Sequence, residues 1–116
     1  MLFICYPKCS TCRKAEAWLR EHSVSFEFRD IREDKPTEEE LRTWQRLSGL
    51  PLRKFFNTSG MLYRELGLGA RLLEMPEEEQ FRLLASDGML VRRPILVWEN
   101  GVLVGFREKE WEAALL

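Results

Sequence analysis

Two thiols, Cys9 and Cys12, stand three residues apart where the apolar run Met1–Cys5 gives way, past Pro7, to a helical pattern beginning at Ser10. A thiol at a helix N-terminus faces unpaired backbone N–H groups and the positive end of the helix dipole, and both favour the thiolate. Cys9 is therefore the expected nucleophile. Cys12 lies about one helical turn further on, where it is expected to resolve an adduct on Cys9 by closing a disulfide with it. Lys8 and Arg13 add positive charge beside the thiols, which favours a thiolate and, separately, an anionic substrate. Ser10 and Thr11 are expected to cap the helix and to offer N–H groups to an anion. A zinc site would need two further ligands, and only Cys5 and His22 remain, neither at finger spacing, so no metal is expected. Cys5 reads as a small buried hydrophobe at the end of a strand, with a thiol that could approach Cys9 across the loop. Inert thiols at a helix start are the alternative to redox chemistry.

The elements that must position these residues follow from periodicity. Met1–Cys5 is too short for a helix and reads as a buried central strand cut off by Pro7. Cys12, Ala15, Trp18 and Leu19 recur at helical spacing, which predicts a first helix from Ser10 to about Glu21. Val24, Phe26 and Phe28 alternate with polar residues and predict a second strand, parallel to the first. Thr37 and Glu40 have the spacing of a capping box at the start of a helix with Leu41, Trp44 and Leu47 as its apolar stripe and Gly49 as its stop. Short helical patterns then run from Leu52 to Leu84, so that residues 37–87 form a helical insertion. The stretch Met89–Trp98 reads as strand. Asn100-Gly101 signals a hairpin to Val102–Val104, and a last helix spans Glu108–Leu115. Arg92 and Arg93, adjacent in a strand approach, should point to opposite sides, with Arg93 toward Cys9 and Arg92 toward solvent. His22 reads as a cation at the end of the first helix, and the four tryptophans as core bulk.

The order β-α-β, helical insertion, β-β-α predicts an α/β chain with a four-stranded mixed sheet, and the CxxC after the first strand makes the arrangement thioredoxin-like. Composition sets the outer limits. The 116 residues, 45% hydrophobic, fit one domain with a substantial core. A net charge of -1 from 18 basic and 19 acidic residues leaves no broad basic surface, so direct nucleic-acid binding is not expected. Neither a signal peptide nor a membrane span is evident, three cysteines do not suit a secreted disulfide framework, and a cytoplasmic monomer is the expectation.

Beyond these inferences, the chain resembles the arsenate reductase and Spx family from end to end. The resemblance rests on Pro-Lys-Cys9-Ser-Thr-Cys12-Arg13-Lys-Ala, on Tyr63-Arg-Glu-Leu-Gly67-Leu and on Leu90-Val-Arg-Arg93-Pro94-Ile95. It implies that Cys9 attacks arsenate or a disulfide, that Arg93 binds the oxyanion, and that the bond before Pro94 is cis. It also implies no tightly bound cofactor, with glutathione, glutaredoxin or thioredoxin as external reductant. Members that reduce arsenate with glutathione and glutaredoxin present three arginines. Here the first position is Asn57, and the third falls at or near Phe106, with Arg107 one place along. Where such members carry a histidine four residues before the nucleophile, this chain has Cys5. Two missing charge-assisted contacts of about 1.5–3 kcal/mol each would weaken anion binding by roughly two to four decades. The second thiol, Cys12, is a feature of the Spx-like branch, whose members sense oxidation and contact RNA polymerase. The expectations are thus a thiol oxidoreductase acting on a small-molecule or protein thiol substrate, or a redox-sensing regulator that binds RNA polymerase. The absence of a basic tail after Leu116 weighs against the second.

Overall fold

Four apolar residues, Leu2–Cys5, form β1, the strand around which the rest is laid. The computed structural model describes residues 1–116. Helix α1 (Ser10–Glu21) carries the chain to β2 (Glu27–Asp30), which pairs parallel to β1 with Phe3 opposite Phe28. On the other side of β1 runs β3 (Ile95–Trp98), antiparallel with Ile4 opposite Ile95, and β4 (Gly101–Val104) closes the sheet. The order is β2-β1-β3-β4, a four-stranded mixed sheet. Between β3 and β4 the chain turns at Glu99-Asn100. A Cβ on Gly101 would come within 2.5 Å of the Trp98 ring, so the hairpin needs glycine there.

The insertion begins with α2 (Glu38–Ser48), capped as its spacing predicts. The Glu40 N–H donates to the Thr37 hydroxyl at 3.1 Å, and the Thr37 N–H donates to the Glu40 carboxylate at 3.0 Å. Gly49, at φ 68°, ends the helix in the left-handed conformation that glycine adopts without strain. Glu40 also ties the insertion to the sheet, accepting two hydrogen bonds from Arg29 on β2, at 2.6 and 2.9 Å. A turn of 3-10 helix (Leu52–Phe55) and the short helices α3 (Met61–Glu65) and α4 (Leu68–Arg71) follow, then α5 (Glu77–Ser86). After β4 the chain ends in α6 (Glu108–Leu115). No helix is long and apolar enough to cross a membrane.

The pleat of β1 divides two cores. Ile4 faces the insertion, where Leu41, Trp44, Phe55, Phe56 and Leu84 are buried with it. Phe3 and Cys5 face the opposite way, into a cluster with Cys12, Ala15, Trp18, Leu19, Leu96 and Trp111 from α1, β3 and α6. Burying these side chains, each a gain of about 1.5–3 kcal/mol, holds α1 to the sheet and so fixes where its first turn points.

Three expectations give way. The second strand begins at Glu27 rather than Val24, because the Glu27 N–H is the first to reach β1, at the carbonyl of Met1. Phe26, just before it, packs edge-on to Phe3, while Phe28 on this edge strand stays 43% exposed. Leu47 lies 40% exposed, so the stripe of α2 is carried by Leu41 and Trp44. Residues 89–94 are not strand: a 3-10 turn covers Gly88–Leu90, and Val91 and Arg92 pair with Phe56 and Phe55 of the insertion instead of the sheet.

Candidate active site

Cys9 is the N-cap residue of α1, with extended backbone (φ -88°, ψ 127°). A turn brings it there: its N–H donates to the Tyr6 carbonyl at 3.0 Å, and its own carbonyl accepts from the Arg13 N–H at 3.1 Å. Its thiol is free and half-buried. Burial pushes that thiol up, but hydrogen bonds from the Cys12 N–H, the Arg93 side chain and the Thr11 N–H, with the charge of Arg93, outweigh it. The net result is a pKa below the ordinary thiol value. These are the donors expected at a helix start.

Arg93 arrives from the other end of the chain. The Arg92 N–H donates to the Phe55 carbonyl at 2.8 Å, the Arg93-Pro94 bond is cis, and the Pro94 carbonyl accepts from Gly105 at 2.8 Å. The Arg93 guanidinium lies over the Tyr6 ring, 5.3 Å from its centroid, and its Nη1 is buried without a hydrogen-bond partner in the protein. Pro94 itself is buried. Cys9, Thr11, Arg92 and Arg93 open on a cleft of about 430 Å³ whose other wall is Phe56, Asn57, Thr58, Ser59 and Gly60 of the insertion, with Gly105 and Phe106 at its end. No carboxylate lines it. The Asn57 amide donates to the Met89 carbonyl at 3.4 Å, which fixes this wall to the segment before Arg92.

The structure redistributes the predicted site. Arg92, expected in solvent, lines the cleft beside Arg93, because these residues precede β3 and escape strand alternation. Gly105 makes room for it: at φ 77°, a Cβ there would sit 2.9 Å from the Arg92 guanidinium. Lys8 and Ser10 are exposed and lie outside the cleft, and neither Ser10 nor Thr11 caps the helix through its side chain. Arg13 donates to the Pro7 carbonyl at 3.1 Å and is not among the groups acting on Cys9. Arg107 is 71% exposed, within 4.0 Å of Glu110, and also lies outside the cleft. Arg92 and Gly105 were missed. The signal for Gly105 was a lone glycine directly after the last strand, where a close backbone approach is a standing possibility.

The disulfide is the main correction. Cys12 is bonded to Cys5, with Cα atoms 5.8 Å apart, and not to Cys9. Strand alternation turns Cys5 toward α1, and the buried stripe of α1 turns Cys12 toward β1, so the two meet inside the core. The Tyr6 N–H donates to the Cys12 sulfur at 3.3 Å. A second cleft, of about 420 Å³, reaches Cys5 and Cys12 between Tyr6, Arg13 and Phe28. No group of three or more His, Cys, Asp or Glu is placed to hold a metal ion.

Comparison with known proteins matches residues 5–114 to the family model described as ArsC family. An ArsC family related protein of Bacteroides fragilis, known from its crystal structure, superposes with a TM-score of 0.95 at 55% identity, over 97% of this chain and 94% of that one. The protein YusI of Bacillus subtilis (strain 168) is 52% identical over 112 residues, 97% of this chain and 95% of YusI. The global transcriptional regulator Spx of Enterococcus faecalis (strain ATCC 700802 / V583) is 33% identical over 104 residues, 90% of this chain and 77% of Spx. The chain belongs to the ArsC family.

Proposed function

We propose that this member of the ArsC family is a thiol oxidoreductase whose Cys9 thiolate attacks a disulfide or a glutathione adduct held in the arginine-lined cleft. The observation that carries this reading is the free thiol at the start of α1, facing two backbone N–H groups and the Arg93 guanidinium. In the first step a bond forms between Cys9 Sγ and one substrate sulfur, and the other sulfur leaves as a thiolate. Arg92 and the unpartnered Nη1 of Arg93 supply positive charge where a substrate carboxylate or oxyanion would lie. With Cys12 tied to Cys5, the adduct on Cys9 is resolved by an external thiol: glutathione, glutaredoxin or thioredoxin.

The test is turnover of a glutathione mixed disulfide, with glutathione and glutaredoxin or with thioredoxin as reductant. Wild type should turn over and Cys9→Ser should not; equal rates in both would refute the assignment. Arsenate should be a poor substrate, since Asn57 and Phe106 stand at the cleft where further guanidinium donors would be needed. Asn57→Arg should raise arsenate-dependent thiol oxidation at least tenfold, and robust wild-type turnover would contradict the donor count.

A second reading, a redox-sensing regulator that binds RNA polymerase, is favoured by the likeness to the transcriptional regulator Spx. Retention of RNA polymerase on the immobilised chain in one redox state only would support it.

A further inference from the structure

We infer that Cys5 is a third redox thiol: with all three cysteines reduced, a disulfide made at Cys9 passes through Cys12 and comes to rest as Cys5–Cys12, which frees Cys9 for another attack. This rests on Cys9 being the attacking thiol. Cys12 is the residue tied to both others. It is bonded to Cys5 across a Cα separation of 5.8 Å. It also lies three residues after Cys9, the N-cap of α1, whose thiol accepts a hydrogen bond from the Cys12 N–H. Cys9 packs against the same core cluster that holds Cys5 and Cys12.

The steps balance. The Cys9 thiolate attacks a disulfide, forming a mixed disulfide and expelling one substrate thiolate. The Cys12 thiolate, its proton given to solvent, attacks Cys9 Sγ and expels the second. The Cys5 thiolate, likewise deprotonated, then attacks Cys12 Sγ, forming Cys5–Cys12 and expelling the Cys9 thiolate. Two electrons and two protons have passed from Cys5 and Cys12 to the substrate. A dithiol reductant resets the protein by reducing Cys5–Cys12 and closing its own disulfide, approaching by the second cleft, which both cysteines help to line.

The direction follows from which sulfur carries negative charge better, because the more stable thiolate is the better leaving group. Cys9 has two N–H donors and a guanidinium. Cys5 is 0% exposed among Phe3, Ala15, Leu19 and Leu96. When the two compete for Cys12, Cys9 is the one released. The opposing account is a static crosslink between β1 and α1 that forms without help from Cys9.

The experiment mixes fully reduced protein with one equivalent of bis(2-hydroxyethyl) disulfide, quenches with acid at intervals, alkylates the remaining thiols and maps the disulfides by mass. Wild type should show the adduct on Cys9 first and Cys5–Cys12 last, and Cys5→Ala should stop at Cys9–Cys12. In Cys9→Ser the Cys5–Cys12 bond should form at least tenfold more slowly. Formation at the wild-type rate in Cys9→Ser, or a wild type that stops at Cys9–Cys12, overturns the relay while leaving the role of Cys9 intact. No adduct on Cys9 in any variant overturns both. Because Cys5→Ala leaves space in the core, Cys5→Ser is run beside it. An unchanged initial rate of adduct formation at Cys9 shows that the site has kept its shape, and the wild-type and Cys9→Ser courses decide the matter if neither Cys5 variant folds.

Discussion

Exchanging Arg93 for Met would remove the charge and the N–H donors beside Cys9 while keeping an apolar stem of similar length over the Tyr6 ring. A hydrogen bond to a charged group contributes about 1.5–3 kcal/mol, and solvent at the half-exposed thiol screens roughly half of it. The upper end of what remains, ~1.4 kcal/mol, is about a tenfold shift of the thiol–thiolate equilibrium toward the thiol, so the pKa rises toward the ordinary thiol range. Well below both pKa values the variant holds about tenfold less thiolate. Each thiolate is roughly threefold more nucleophilic, since reactivity rises with basicity at a Brønsted slope of about 0.4–0.5. Arg93→Met should therefore react about three- to fourfold more slowly than wild type at acid pH and about threefold faster where both thiols are ionised. The assay is a pH series of single-turnover rates with bis(2-hydroxyethyl) disulfide, a neutral probe that Arg93 has no charge to attract. Curves that cross confirm the argument. Parallel curves, slower at every pH, would show that Arg93 acts by shaping the cleft and not through the thiolate.

One further outcome concerns the tie between the insertion and β2, and another concerns the cleft. Glu40→Gln should cost about 1–3 kcal/mol in denaturant titration, because Arg29, with its side chain only 13% exposed, loses the nearer of its two carboxylate partners and keeps only the exposed Asp34 at 3.4 Å. The hydrogen bond from Arg29 is the largest influence on the Glu40 carboxyl and holds it below the usual range. Its contribution is therefore complete above the unfolded value near 4.3 and fades as pH falls through the lower folded one, so wild type and variant should converge only once pH has fallen below the folded value. A difference that persists there would contradict the ion pair. Gly105→Ala should cost about 1–2 kcal/mol from its left-handed backbone and should displace Arg92. Turnover of a glutathione adduct should then fall several-fold relative to that of a neutral disulfide, and a proportional fall in both would deny Arg92 a role in binding.

The sequence made the architecture readable wherever a local signal had a single tertiary solution. Thr37 and Glu40 could only cap a helix, Asn100-Gly101 could only turn a hairpin, and the stripe Cys12–Leu19 had to face a sheet. Cys9 was legible for the same reason, since a helix start acts on a thiol through its own backbone. The other half of the site was not. Arg92 and Arg93 looked like strand residues because an apolar run surrounds them, yet their backbone pairs with Phe55 and Phe56, over thirty residues away. The resting cysteine pairing is not the one the CxxC spacing suggests, although its signal is present in the sequence. Period two on β1 sends Cys5 toward α1, and helical period sends Cys12 toward β1; the spacing of CxxC drew attention to the pair along the chain instead of the pair across the core.

The pleat of β1 has a consequence for how such a protein can diverge. The nucleophile and its buried cysteine neighbours belong to the layer containing α1 and α6, whereas the facing wall of the cleft, Phe56–Gly60, is anchored in the layer of the insertion. Substitutions in layers that share few partners combine almost additively. The insertion wall can thus be rewritten to admit a different ligand while the thiol keeps its reactivity, and the set of cysteines can change while the ligand stays the same. One scaffold thereby offers two independent dials, choice of partner and mode of electron transfer.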